Sequence, residues 1–259
     1  LTPGKATATD GAEIAWTEDG HGEPLLLIAG QATGMNGWGP VVGSLARSFR
    51  VIRFDHRGIG GSTEGTPENY TTRGFAADAK SVLDAAGVAR AHIYGHSMGG
   101  RVAQWLALDY PACVASLILV STSGGDGRGI PRAAPATAAL TSGDQSRMTP
   151  LFFDLGWAQK HPEAVDQFFR IQASQPTKSR HFRASRLHDT WDHLPAITAP
   201  ALIIHGTEDL LTPIDNALML AHHLPHAHLI QVAGAHHGLH LDHPVIQTWI
   251  EDFLAATVP

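Results

Sequence analysis

The sequence predicts an α/β protein: an eight-stranded, mostly parallel sheet with helices on both faces and a helical insertion late in the chain. Three observations carry this expectation. Short apolar runs of strand length alternate with segments of helical periodicity. The alternation lapses only between residues 124 and 195. Of the 259 residues, 43% are hydrophobic, enough to bury a large core.

Taken in order, residues 5–9 and 12–18 read as two strands joined at Asp10-Gly11, a dipeptide suited to a hairpin turn. The apolar runs 25–29, 51–54, 92–94, 114–121, 201–205 and 229–232 are each short enough for a buried strand. Helical signals fall between them. Residues 73–86 place Phe75, Ala76, Ala79, Val82 and Leu83 on one face and stop at Gly87; 98–109, 214–224 and 246–256 repeat the pattern. From residue 124 the chain is rich in Gly, Pro and Ala, and then 149–153, 164–171 and 180–193 look helical with no strand between them. The predicted division is a core of residues 1–123 and 196–259 and a helical cap of 124–195. The cap carries nine Lys and Arg against seven Asp and Glu, while the remainder carries nine against 17. That balance predicts solvated helix faces, the alternative being a roof that attracts an anionic substrate.

Composition excludes several classes. No run approaches the roughly 18 apolar residues of a membrane-spanning helix. The first residues show no basic start followed by an apolar stretch, so no secretory signal is visible, although a mature chain could have lost one. Cys113 is alone, which rules out a disulfide framework or cysteine metal site within one chain and makes a reducing cytoplasm the expected compartment. A net charge of −6 argues against a nucleic-acid footprint. Seventeen histidines include "HHLPHAH" at 222–228 and "HHGLH" at 236–240, but glycines break the second stretch and no carboxylate stands between its histidines in a zinc-protease pattern. No metal or cofactor is expected, and the partner is a small-molecule substrate. The oligomeric state is left open.

The chemistry centres on "IYGHSMGG" at 93–100. Ser97 follows a strand and opens a helix, with Gly95 and Gly99 two residues to either side, where side chains would collide if the turn were sharp. Such a turn lifts the hydroxyl to the carboxyl end of the sheet and turns the first helical N–H groups toward whatever the serine attacks. A serine hydroxyl needs a base and an orienting acid. "LIIHGTED" delivers Asp209 behind the strand 201–205, with Glu208 beside it as a rival; "VAGAHHG" delivers His236 and His237 behind the strand ending at Val232. A further rival acid, Asp126, follows the strand that ends near Ser121.

Ser, Asp and His in this order, each behind a strand, resemble the α/β-hydrolase superfamily, and the resemblance covers nearly the whole chain. "LLLIAGQATGMNGW" is similar to that family's loop after the third strand, and "FDHRGIGGS" to its Asp-x-Arg-Gly-x-Gly-x-Ser segment. The resemblance is nearest to small ester and lactone hydrolases, including enol-lactonases and polyketide methylesterases, with cofactor-free haloperoxidases close by. It implies the α/β-hydrolase fold and cleavage of a carboxylic ester or lactone of a largely apolar substrate through an acyl-enzyme. It implies Ser97 as nucleophile, Asp209 as acid and His237 as base, His237 filling the last place of the family's Gly-x-Gly-His with His236 as the alternative. The Gln31 and Met98 N–H groups would form an oxyanion hole. Ala29 stands where the family usually has histidine, which leaves the Gln31 donor in place but changes how its loop is braced.

Gly30 and Trp38 of the same loop would border the substrate. In this fold the insertion lies over the carboxyl end of the sheet, so Met148, Phe152, Phe153 and Trp157, with Leu151, Phe168 and Phe169, are expected to supply an apolar roof, and Arg128, Arg132 and Arg147 stand near its hinge. C–C bond hydrolysis, perhydrolysis and a receptor role are the alternatives on the same fold. A serine at the elbow, not an aspartate, argues against epoxide hydrolysis and haloalkane dehalogenation.

Overall fold

Each predicted apolar run folds as a strand: β1 Thr2–Thr7, β2 Glu13–Asp19, β3 Glu23–Ile28, β4 Phe49–Phe54, β5 Ala91–His96, β6 Val114–Val120, β7 Ala201–Gly206 and β8 Ala227–Val232. The computed structural model describes residues 2–170 and 172–257, so Ile171, the last residue of the expected helix 164–171, lies outside the described residues. One sheet contains all eight strands in the order β1-β2-β4-β3-β5-β6-β7-β8. β2 runs antiparallel to β1 and β4, and every other pairing is parallel. β3, β5, β6 and β7 are buried almost throughout, as sheet strands covered on both faces must be.

The first connection departs from the expected tight hairpin. β1 ends at Thr7, and residues 8–12 form a wider loop closed by the Ala8 N–H donating to the Ala12 carbonyl at 2.8 Å. Gly11, at φ +83°, supplies its left-handed position.

On the core, α1 Pro40–Leu45, α2 Thr72–Ala85 and α3 Met98–Asp109 precede β6. α2 begins where Thr71 accepts a hydrogen bond from the Gly74 N–H and buries the five apolar residues that its periodicity singled out. Between β6 and β7 the cap holds five helices: α4 Ala134–Leu140, α5 Gln145–Phe152, α6 Leu155–Lys160, α7 Pro162–Phe169 and α8 Gln175–Arg186. Capping side chains set three of their starts: Asp144 for α5, Asp154 for α6 and Ser174 for α8. The expected helix 180–193 therefore begins earlier and stops at Arg186. The Thr190 N–H then returns to the Gly124 carbonyl at 2.8 Å and the Trp191 indole to the Gly125 carbonyl at 3.0 Å, closing the neck of the insertion. After β7 come α9 Asp215–His223, α10 Leu239–Asp242 and α11 Val245–Thr257.

Several histidines are structural. His56 donates to the Ala29 carbonyl at 3.0 Å, and His181 of α8 donates to the Arg57 carbonyl at 3.0 Å while stacking on Phe75. Burial, reinforced by Arg57, pushes His56 down to about 4. Burial, with His56 nearby, takes His181 to about 3, and burial, with His237 nearby, takes His96 to about 3. These rings are neutral in the fold but take up protons in the unfolded chain near the ordinary imidazole value of about 6.5. Their folded pKa values are depressed, so the unfolded state binds more protons as pH falls, and stability rises with pH across that window. Urea midpoints should therefore be level near pH 7.5 and fall steeply between pH 6.5 and 4. A flat profile over that range would contradict the neutral burial of these rings.

Candidate active site

Five loops meet at the carboxyl ends of adjacent parallel strands: those after β3, β5, β6, β7 and β8. The loop after β5 is a single residue. Ser97, between β5 and α3, has φ +56° and ψ −120°, a left-handed conformation that L-residues rarely adopt. Its N–H donates to the Val120 carbonyl at 2.9 Å, and its carbonyl accepts from the Thr122 hydroxyl at 2.7 Å. A Cβ at Gly95 would strike the backbone of Gly99, and one at Gly99 would strike the Ile28 carbonyl, so both glycines are required by close backbone approach.

The Ser97 hydroxyl lies 2.9 Å from Nε2 of His237, and Nδ1 of His237 lies 2.7 Å from Oδ2 of Asp209. Asp209 is buried and accepts on its other oxygen from the Leu211 and Thr212 N–H groups at 2.9 and 2.8 Å. Burial works against its charge, but His237 and the donors from His205 and His237 outweigh it, and the carboxyl is held well below the usual carboxylate range. An ionised Asp209 can only accept, so His237 carries its proton on Nδ1 and leaves Nε2 free to take the serine proton. Of the two adjacent histidines, His237 is the one in this chain. The rival carboxylates are elsewhere: Glu208 is exposed, and Asp126 pairs with the Arg101 guanidinium at 2.6 Å.

Gln31 follows Gly30 in the loop after β3, and Met98 is the first residue of α3. Among the described residues neither N–H has an acceptor. The Met98 side chain is buried, so this residue offers only its amide. The loop lacking the usual histidine is braced instead from the segment after β4. Oδ1 of Asp55 accepts from the Met35 N–H at 2.8 Å, Oδ2 accepts from the Gly61 N–H at 3.0 Å, and His56 holds Ala29.

Above Ser97 lies a small cavity of about 60 Å³, lined by Gly30, Gln31, Ser97 and His237 on the core side and by Leu140, Phe152 and Phe168 on the cap side. A second basin, lined by Met148, Phe169 and Phe182, shares Gln31, Leu140, Phe152 and Phe168 with it. Phe152 packs edge-on against the His237 ring, 5.3 Å between centroids. The C-terminus of α5 is tied to the histidine loop through the Gly238 N–H and the Phe152 carbonyl at 2.7 Å.

The structure corrects four expected lining residues, the first being Leu151, which is buried in the core and borders neither space. Trp38 is buried edge-on against Tyr94 and His240 in the core. Phe153 is fully buried beneath Gly238, and Trp157 packs on Phe153 and His161. Because Phe152 and Phe153 are adjacent at the end of α5, their side chains diverge, and only Phe152 reaches the cavity. Substituting Phe152→Ala should accordingly shift relative kcat/KM toward longer acyl chains, whereas Trp157→Ala should lower the melting temperature and leave chain-length preference alone. Matched short and long esters would check both; an altered preference in the Trp157 variant would return that residue to the roof.

Arg132, expected near the hinge of the insertion, borders the cavity, and so do Arg101 and, from the loop after β6, Ser121 and Thr122, which the sequence did not mark. Ser121 has φ +51°. With Ser97 and Ala32 (φ +53°) it completes the non-glycine residues in the left-handed region among the described residues, and all three lie around this cavity or its basin. A left-handed serine leaves no mark in hydropathy, so only the position behind a core strand could have pointed to Ser121.

The sequence profile of the alpha/beta hydrolase fold matches residues 23–244. A protein of Variovorax paradoxus, provisionally named carbamate hydrolase RutD, is 32% identical over 252 residues, covering 90% of this chain and 92% of that protein. One of Mycobacterium tuberculosis H37Rv, provisionally named non-heme bromoperoxidase BpoC, is 30% identical over 240 residues, covering 86% and 90%. Among solved structures, Est816, described as an N-acyl homoserine lactone degrading enzyme, superposes with a TM-score of 0.81 at 28% identity, covering 96% of this chain and 100% of that one.

Proposed function

Because this chain belongs to the α/β-hydrolase fold family, we propose that it is a serine hydrolase of small to medium carboxylic esters or lactones, with Ser97 as nucleophile. The observation that carries the reading is the continuous hydrogen-bonded run from the Ser97 hydroxyl through His237 to Asp209, beside two amides without acceptors.

In this mechanism the substrate carbonyl enters the cavity with its oxygen toward the Gln31 and Met98 N–H groups. Nε2 of His237 takes the serine proton as Oγ attacks, and the two amides hold the oxyanion that forms. Asp209 keeps the proton of Nδ1 in place and stabilises the imidazolium. The imidazolium then protonates the departing alkoxide, the C–O bond breaks, and the acyl group remains on Ser97. Water, deprotonated by the same Nε2, attacks the acyl-enzyme and releases the acid. In a lactone the leaving alcohol stays attached, and one hydroxy acid is the product.

A carbamate is a second substrate class that this machinery would cleave, since its carbonyl accepts the same attack; the relative named for that activity supports including it. Among the described residues no helix is long and apolar enough to cross a membrane. The buried, lone Cys113 supports the reducing cytoplasm as the compartment. The reading is tested by screening esters, lactones, thioesters and carbamates, with products identified by mass spectrometry. Turnover of none of them by folded protein would remove it.

A further inference from the structure

Asp209 faces two histidines, and the mechanism above uses one of them. Both approach the same oxygen. Nδ1 of His237 lies 2.7 Å from Oδ2, and Nε2 of His205, the penultimate residue of β7, lies 3.3 Å from it on a side chain that is wholly buried. The same His205 nitrogen lies 2.7 Å from the Thr212 carbonyl oxygen. Neither neighbour can donate, so Nε2 carries a hydrogen and presents it to both, closely to the carbonyl and at longer range to the carboxylate. The other ring nitrogen, Nδ1, is buried with no partner among the described residues. Every polar contact of this ring is therefore directed at the acid loop.

That loop is already closed by other bonds. Oδ1 of Asp209 accepts from the Leu211 and Thr212 N–H groups, and the Asp209 N–H donates to the Gly206 carbonyl at 3.3 Å. Oδ2 is left as the oxygen that acts on the base, and an N–H aimed at an anionic oxygen takes up part of its attraction for any other donor. Three further titratable or charged groups face the pair. His96 of β5 donates to the His237 carbonyl at 2.9 Å, His240 of α10 stacks on His96 with 4.0 Å between centroids, and Arg132 of the cap is within the electrostatic reach of Asp209. Burial holds His96 and His240 below the ordinary imidazole value, and a guanidinium stays protonated at any working pH. None of these three changes charge where a catalytic imidazole ordinarily titrates, so the acid limb of the rate profile reports on the Asp209–His237 pair.

Resting on the serine-hydrolase reading above, we propose that His205 is a positioning residue that weakens His237 as a base by sharing Oδ2 of Asp209. With the carboxylate shared, the imidazolium formed as Ser97 attacks is held less tightly and passes its Nε2 proton more readily to the departing alkoxide. The same sharing keeps Nε2 free of a proton at lower pH than an Asp–His pair alone would allow. His205 thus extends the working range toward acid without touching substrate.

Two measurements test this, and only the first needs turnover. The pH dependence of kcat/KM is followed for neutral p-nitrophenyl valerate on the wild type, His205→Leu, His205→Gln and His222→Gln. The acid limb should move up by about half to one pH unit in His205→Leu, the size of one lost hydrogen bond to a charged group. It should return most of the way in His205→Gln, whose amide N–H groups supply the two acceptors again, and stay put in His222→Gln, which changes an exposed ring at the end of α9. A histidine that only braced the loop predicts the opposite sign, because Asp209 would drift from His237 and the imidazolium would lose support. A limb that stays or moves down in His205→Leu therefore overturns the proposal. In the second measurement, protein labelled with ¹⁵N-histidine is followed by NMR in the wild type and in Asp209→Asn. The Nε2 proton of His205 should be protected from exchange and should move upfield when the carboxylate is lost. A His205 proton indifferent to that substitution overturns the proposal even where His205→Leu does not fold. A responsive His205 proton in a wild type that cleaves no ester would uphold the shared carboxylate and reject the hydrolase reading instead.

Discussion

Ser97→Ala should lower turnover of the best ester by about 10⁵- to 10⁶-fold and abolish labelling by a fluorophosphonate probe, the two losses going together because both require the same nucleophilic oxygen. Alanine at φ +56° meets the same backbone penalty as serine, so the variant should melt close to the wild type, and a loss of activity cannot be put down to unfolding. His237→Ala should lose a comparable factor, since residues that act as one unit are not additive. His236→Ala should stay within about tenfold. Persistent labelling of the Ser97 variant would move the nucleophile elsewhere.

Asp209→Asn is the second large effect, expected at about 10⁴-fold in kcat/KM. The buried carboxylate accepts from the Leu211 and Thr212 amides on one oxygen and from His237 on the other. If the asparagine oxygen keeps the two amides, its NH₂ faces His237. Nδ1 must then accept, which forces the proton onto Nε2 and takes away the base that Ser97 needs. Glu208→Gln changes an exposed neighbour that meets neither histidine nor serine, and it should stay within about tenfold. A Glu208 variant weaker than the Asp209 variant would transfer the orienting role to the adjacent position.

How far these residues could be read in advance depended on how local their cause was. The elbow was legible because its glycines answer a contact within five residues or with the adjacent strand. Asp209 and His237 were legible because each follows a short apolar run, fully buried before Asp209 and half-buried at the sheet edge before His237. The choice of His237 over His236 came from the family pattern, and the hydrogen bonds that distinguish them span 28 and 140 residues of sequence. The cap was legible as an interruption holding three helical stretches, which fold as α5, α7 and α8, while α4 and α6 left no signal. α4 is an alanine-rich segment with a proline at its start, and α6 is six residues long, too short for periodicity to register. Which of two adjacent aromatic residues faced the substrate was equally hidden. Phe152 and Phe153 carry the same hydrophobic signal, and only the exit angle of α5 separates them. Trp38 was expected at the cavity because its loop is there, but the 3₁₀ turn Met35–Trp38 swings the indole back onto Tyr94.

Three non-glycine residues in left-handed backbone surround the same space: Ala32, Ser97 and Ser121. Each would be more comfortable as glycine, so the segments that matter most to chemistry are those where the chain is least at ease with its own residues. Glycine at positions 32, 97 or 121 would relieve that strain, and at position 97 it would do so by removing the proposed nucleophile. Misfit of this kind is also a better compass than hydropathy, because it marks the places where the chain gave up backbone comfort.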